Sequence, residues 1–161
     1  MADPHHILPA GERRRLLSVV TGLPFHKVYD GMELTERQAN RFHQLGLRRL
    51  AGEPLQYLEG TVQFGPIELA IDRRALIPRP ETERLWERSI ELTTQNHDEP
   101  GFILDLCTGS GCLALAFKHA FPAAHVVATD VSDEALGLAR DNARSLRSVV
   151  EIREGDLYDA V

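Results

Sequence analysis

Lysine is almost missing from this chain. Lys27 and Lys118 are the only two among 161 residues, so nearly all the positive charge is arginine. That is a compositional bias, and no function follows from it. Cysteine is equally scarce. Cys107 and Cys112 stand five apart with no second pair, which excludes a disulfide framework and a zinc site. The seven histidines are scattered and have no ligand spacing, so no metal is expected. There is no apolar run of about eighteen residues, the length a membrane span needs. Met1 to Pro9 lacks the apolar core of a signal peptide. No internal repeat or low-complexity tract occurs. These absences predict a soluble cytoplasmic protein with no membrane partner.

What is present suits a folded domain. Hydrophobic residues make up 43% of the chain, enough to bury a core. The formal charge is 18 − 24 = −6, unevenly spread. Residues 1–60 hold 8 Lys+Arg against 7 Asp+Glu, whereas residues 91–161 hold 5 against 12. An acidic C-terminal part repels a phosphate backbone, so no direct nucleic-acid partner is expected.

Three patterns follow one another. Residues 10–58 read as helical. Leu16, Leu17, Val19 and Val20 give one helix from Glu12 to Thr21, closed by Gly22. Thr35 with Gln38 is a capping-box signature for a second, from Glu36 to about Ala51. Glu53-Pro54 can open a short helical turn through Tyr57. Residues 61–78 change period. Thr61 to Phe64 and Ile67 to Ile71 predict two short strands around Gly65-Pro66. Ile77-Pro78-Arg79-Pro80 is a stiff linker. A helix from near Glu81 to Gln95 and a loop from Asn96 to Gly101 follow. Leu85 and Trp86 on that helix are expected in the core.

Residues 102–161 alternate strand and helix. Strands are expected at Phe102–Leu106, Val126–Thr129 and Val149–Ile152. Helices are expected from Gly111 to Ala120 and from Ser132, as N-cap, to about Leu146. Such alternation predicts a parallel sheet with right-handed crossovers.

The chemistry concentrates at the ends of those strands. Asp105-Leu-Cys-Thr-Gly-Ser-Gly111 runs from a strand through a tight turn into a helix. Gly109 and Gly111 let the backbone turn sharply and let a ligand come close. Asp130, at the end of the next strand about twenty residues on, suits two ribose hydroxyls. Gly109-Ser-Gly111-Cys-Leu-Ala114 also fits a dinucleotide fingerprint. Asp105 favours another cofactor, because a carboxylate beside pyrophosphate costs Coulomb energy. S-adenosylmethionine has no phosphate, and an acidic rim suits its ammonium and sulfonium. Asp156 ends the third strand, and Leu157 offers an apolar face to adenine. Asp105 could also be no more than a turn-capping carboxylate. Cys107 and Cys112 read as small packing residues, and Arg13-Arg14-Arg15 reads as a solvated helix face or a contact for a partner protein.

Gly52-Glu-Pro-Leu-Gln-Tyr57, Ala75-Leu-Ile-Pro-Arg-Pro-Glu-Thr-Glu83 and Leu104-Asp-Leu-Cys-Thr-Gly-Ser-Gly111 together resemble the HemK/PrmC family. Its members are glutamine-N5 methyltransferases that modify the Gly-Gly-Gln motif of class 1 peptide-chain release factors. The resemblance runs from about Arg13 to Asp159. It implies an α/β, Rossmann-like S-adenosylmethionine-dependent methyltransferase sheet, incomplete here. A small helical domain and a β-hairpin linker would precede it. The implied domains are 1–58 for substrate recognition, 59–80 for the hairpin linker and 81–161 for a partial methyltransferase domain. Carried over by motif, Cys107, Thr108, Gly109, Ser110 and Gly111 would surround the methionine part of S-adenosyl-L-methionine. Asp130 would bind the ribose, and Leu157 would sit beside the adenine. The implied protein partner is a release factor.

Two departures stand out. Cys107 replaces the family's usual glycine, a change shared with a sister group that methylates a ribosomal-protein glutamine. The Asn-Pro-Pro-Tyr motif, which holds the substrate amide in the family, is absent, and the helical domain looks one helix short. No catalytic residue is therefore named within 1–161, and the chain alone is expected to be inactive. Arg79, Glu81 and Glu83 could shape a substrate channel or lock two domains together. The readings kept beside the release-factor methyltransferase are a glutamine methyltransferase of a ribosomal protein, a NAD-binding oxidoreductase fragment and a non-catalytic interaction module.

Overall fold

The computed structural model describes residues 7–95 and 99–160. The expected loop from Asn96 lies partly outside them. The chain separates into two units, Met1–Gly60 and Thr61–Val161.

In the first unit, α1 (Ala10–Thr21) ends at Gly22 in the left-handed conformation, whose N–H returns to Ser18 O at 2.9 Å. A 3-10 turn, Phe25–Lys27, follows. Helix α2 (Glu36–Leu50) opens with the expected capping box. The Gln38 N–H donates to Thr35 Oγ1 at 3.3 Å, and the Gln38 side chain accepts the Thr35 N–H at 2.9 Å. Helix α3 (Leu55–Glu59) is short, starting just after Pro54. Leu16, Leu17, Val20, Val28, Phe42, Leu45, Leu55 and Leu58 form one apolar core.

The three consecutive arginines are not a solvated face. Arg13 pairs with Asp30 and donates to Leu8 O. Arg14 donates to Val28 O and Phe25 O and stacks over the Phe25 ring. Arg15 grips Glu59 with two guanidinium nitrogens. The three clasp α1 onto the Phe25–Asp30 segment and onto α3. Arg49 closes the other side on Glu12.

The second unit opens with a hairpin, β1 (Thr61–Phe64) against β2 (Ile67–Ala70), antiparallel around Gly65-Pro66. Gly65 has φ 51°, and a Cβ there would lie 2.8 Å from the Trp86 ring, so only glycine fits that turn. Trp86 belongs to α4 (Pro80–Gln95) and is half-buried against the hairpin. Leu85 beside it is 59% exposed, contrary to the sequence expectation. The half-buried face of α4 runs through Thr82, Glu83, Trp86, Ile90 and Thr93, and Leu85 falls off it at helical spacing.

Strands β3 (Phe102–Leu106), β4 (His125–Asp130) and β5 (Glu151–Glu154) form a parallel sheet in that order. Helices α5 (Cys112–Ala120) and α6 (Asp133–Ser145) make the crossovers. Ser132 caps α6 through Ala135 N–H at 3.2 Å, as expected. Phe64, Ile67 and Leu69 of the hairpin pack on Cys112, Leu115 and Ala116 of α5 and on Ala143 of α6. The hairpin therefore shares a core with the sheet's helices.

The third strand begins two residues later than expected. Val149 is 80% exposed, and Arg147 sits at φ 52° in the turn before it. Pairing with β4 runs from Val127↔Glu151 to Asp130↔Glu154. Ladder partners, not apolar content, set the start of β5.

Candidate functional site

Strand β3 ends against β4, and the chain reverses over residues 107–111 to enter α5. The Thr108 N–H donates to Thr129 O at 2.8 Å, tying the turn to β4. The Gly111 N–H closes the turn on Thr108 O at 3.0 Å. The two glycines serve different needs. Gly109, at φ 57°, has open space where a Cβ would stand, so a ligand can reach its backbone. At Gly111, φ 83°, a Cβ would meet Leu115 at 3.1 Å and Ala139 at 3.3 Å. Gly111 lets α5 and α6 approach.

Asp130, the last residue of β4, binds the turn through its side chain. Its Oδ2 accepts the Gly109 N–H at 2.8 Å and its Oδ1 accepts the Ser132 N–H at 3.0 Å. A carboxylate has about four acceptor positions, so each oxygen keeps one for a ligand hydroxyl. The Asp130 carbonyl also accepts the Gly155 N–H at 3.0 Å, which draws the segment after β5 to the same edge. Leu157 follows in a 3-10 turn (Leu157–Ala160), half-exposed at φ 49°.

Asp105 is not part of an acidic rim. It is 8% exposed, and its Oδ2 accepts both the Thr108 hydroxyl at 2.6 Å and the Ala114 N–H at 3.1 Å. It caps the turn from beneath. Burial raises its carboxyl above the usual range, against the pull of those two hydrogen bonds. Thr108 and Ser110 are likewise buried.

The cysteines part company. Cys112 packs against the hairpin, and burial pushes its thiol up to about 11, so it is inert. Cys107 is exposed at φ 59°, a backbone region that disfavours side chains, and is no packing residue. Glu83 Oε1 accepts the Gly65 N–H at 2.7 Å and fixes α4 to the hairpin turn. The structure thus gathers the 107–111 turn and Asp130 at one sheet end, with Leu157 two residues beyond Gly155.

Sequence reasoning passed over Asn142. It is 1% exposed on α6 and bonds to both Ser110 O and Ala70. The signal was available, because Asn142 lies on the same helical stripe as Ala135, Leu136, Ala139 and Ala143. A polar residue on an apolar stripe needs buried partners.

The PrmC N-terminal domain family matches residues 7–60, and the methyltransferase small domain family matches residues 90–161. A release factor glutamine methyltransferase of Deinococcus radiodurans is 48% identical over 68% of this chain and 39% of its own. One from Bordetella pertussis is 38% identical over 100% of this chain and 59% of its own. The chain spans about half the length of the curated relatives it matches. A tRNA (uracil-54, C5)-methyltransferase of Pyrococcus abyssi, solved with S-adenosyl-L-homocysteine, superposes with a TM-score of 0.50. It is 17% identical over 60% of this chain and 23% of its own, a likeness of fold. The strand–turn–helix frame is that of a Rossmann-like methyltransferase sheet.

Proposed function

This chain belongs to the HemK/PrmC family, and from that premise we propose that its second unit holds S-adenosylmethionine for methylation of a glutamine side-chain amide. The acceptor is the Gly-Gly-Gln glutamine of class 1 peptide-chain release factors. Residues 1–58 recognise the protein substrate, 59–80 link, and 81–161 carry the donor site. The observation that carries the reading is Asp130. Its two oxygens are fixed by the N–H groups of Gly109 and Ser132, with free lone pairs beside the open backbone of Gly109. The residues fit the donor. Asp130 would accept the ribose hydroxyls, and the 107–111 turn would follow the methionine part. Leu157 would flank the adenine.

The donor, when bound, supplies a methyl on a sulfonium for in-line displacement by the amide nitrogen. That nitrogen is a poor nucleophile because its lone pair is delocalised, so rate depends on orientation. Asp130 and the turn orient, since the Thr108 N–H on Thr129 O and the Gly109 N–H on the Asp130 carboxylate already hold them together. No Lys or Arg lies within 105–111 or 154–159, which suits a cationic donor better than a pyrophosphate. The dinucleotide and ribosomal-protein readings are not favoured, because the relatives above are named for release factors.

Mass spectrometry of the Gly-Gly-Gln peptide from source cells tests the activity. Deleting the gene should remove one methyl group from that glutamine. A peptide still methylated after deletion contradicts the reading.

A further inference from the structure

A primary amide buried mid-helix is costly unless its groups are bonded, and Asn142 is fully engaged. Its Oδ1 accepts the Ala70 N–H at 2.8 Å. Its Nδ2 donates to Ala70 O at 3.1 Å and to Ser110 O at 2.9 Å. Ala70 stands opposite Thr61 in the hairpin. Antiparallel pairs alternate between bonded and non-bonded positions. Phe64↔Ile67 closes the two-residue turn as a bonded pair, so Thr61↔Ala70 is non-bonded and turns its N–H and C=O outward. The Asn142 amide takes both, as a neighbouring strand would. The same amide holds the Ser110 carbonyl inside the turn. The preceding residue adds a second grip, because Asp141 pairs with Arg74 at 2.9 Å and Arg74 is itself held by Asp72.

We propose that Asn142 is a positioning residue for the 107–111 turn, joining it to the β1–β2 hairpin so that the two order and loosen together. The link to methyl transfer rests on the cofactor reading above, whereas the coupling itself does not. One side chain hydrogen-bonds two segments some forty residues apart in sequence. Order in the linker thereby reaches the backbone that would bind the donor.

Amide hydrogen exchange on the 161-residue chain tests it. Asn142→Leu, similar in shape but without polar groups, should speed exchange at Ala70, Gly109 and Gly111 at least tenfold relative to β4 amides. Asn142→Asp keeps the acceptor for Ala70 N–H and loses both donated bonds, so it should speed Gly109 and Gly111 while sparing Ala70. Val126→Ala, a core change in β4, controls for lost stability and should not single out the turn. Gly65→Ala strains the hairpin at its far end and should speed the turn amides only when Asn142 is present. Donor titration should show Asn142→Asp binding at least tenfold more weakly than Val126→Ala.

Unchanged turn exchange in a folded Asn142 variant overturns the proposal, as does equal acceleration by Val126→Ala. If Asn142→Leu does not fold, Asn142→Asp decides. If the unmodified chain takes up no methyl donor, the cofactor reading fails, and the exchange pattern still decides the coupling.

Discussion

Asp105 and Asp130 end or nearly end neighbouring parallel strands, yet they do opposite work. Asp105 points inward and holds the turn to α5, while Asp130 is half-exposed and holds the turn to β4. Sequence spacing located both and could not tell which faced inward, because that depends on how α5 packs. Burial raises the folded pKa of Asp105 above its unfolded value of 3.8. A raised carboxyl contributes most stability below the unfolded value and loses it as pH rises through the folded one. Both of its hydrogen bonds go to Oδ2, and an amide oxygen can replace that atom. Asp105→Asn should therefore gain stability relative to the unmodified chain as pH rises upward from about 3.8. Urea unfolding across a pH series checks this, and a constant difference between the proteins contradicts it. Cys107 makes a second case. A side chain at φ 59° is strained, so Cys107→Gly should stabilise the second unit by about 1 kcal/mol in denaturant unfolding. A loss of stability would mean that the thiol makes a compensating contact.

At the level of elements, the local signals were legible. Gly22 closes α1, the Thr35–Gln38 box opens α2, Gly65-Pro66 turns the hairpin and Ser132 caps α6, all as their residue types dictate. Thr35→Ala removes one accepted backbone bond and should cost about 1 kcal/mol of the first unit's stability. Thermal unfolding followed by helical circular dichroism measures that, and no change would show the cap to be redundant. What stayed illegible was set by distant partners. Val149 looks like strand and is exposed loop, because β4 selects Glu151–Glu154 as its neighbour. Leu85 looks like core and is exposed, because the hairpin takes the Glu83–Trp86 face of α4. The roles of Asn142 and of the three arginines needed the same long-range information.

For the whole molecule, charge and chemistry separate. In the first unit Arg13, Arg15, Arg48 and Arg49 are committed to Asp30, Glu59, Glu53 and Glu12. Partly exposed pairs of this kind add modest stability individually, but they leave less free positive charge for a polyanion. In the second unit every hydrogen bond described for the 107–111 turn is made within Thr61–Val161. Among the described residues no helix is long and apolar enough to cross a membrane, and no cluster could hold a metal.

The most direct measurement is a calorimetric titration of the 161-residue chain with S-adenosylmethionine and, separately, with NAD. The expected result is binding of the methyl donor, weakened at least tenfold by Asp130→Ala, and none of NAD. A folded chain that binds NAD and not the methyl donor, or that binds the donor equally well without the Asp130 carboxylate, would contradict the assignment of this turn.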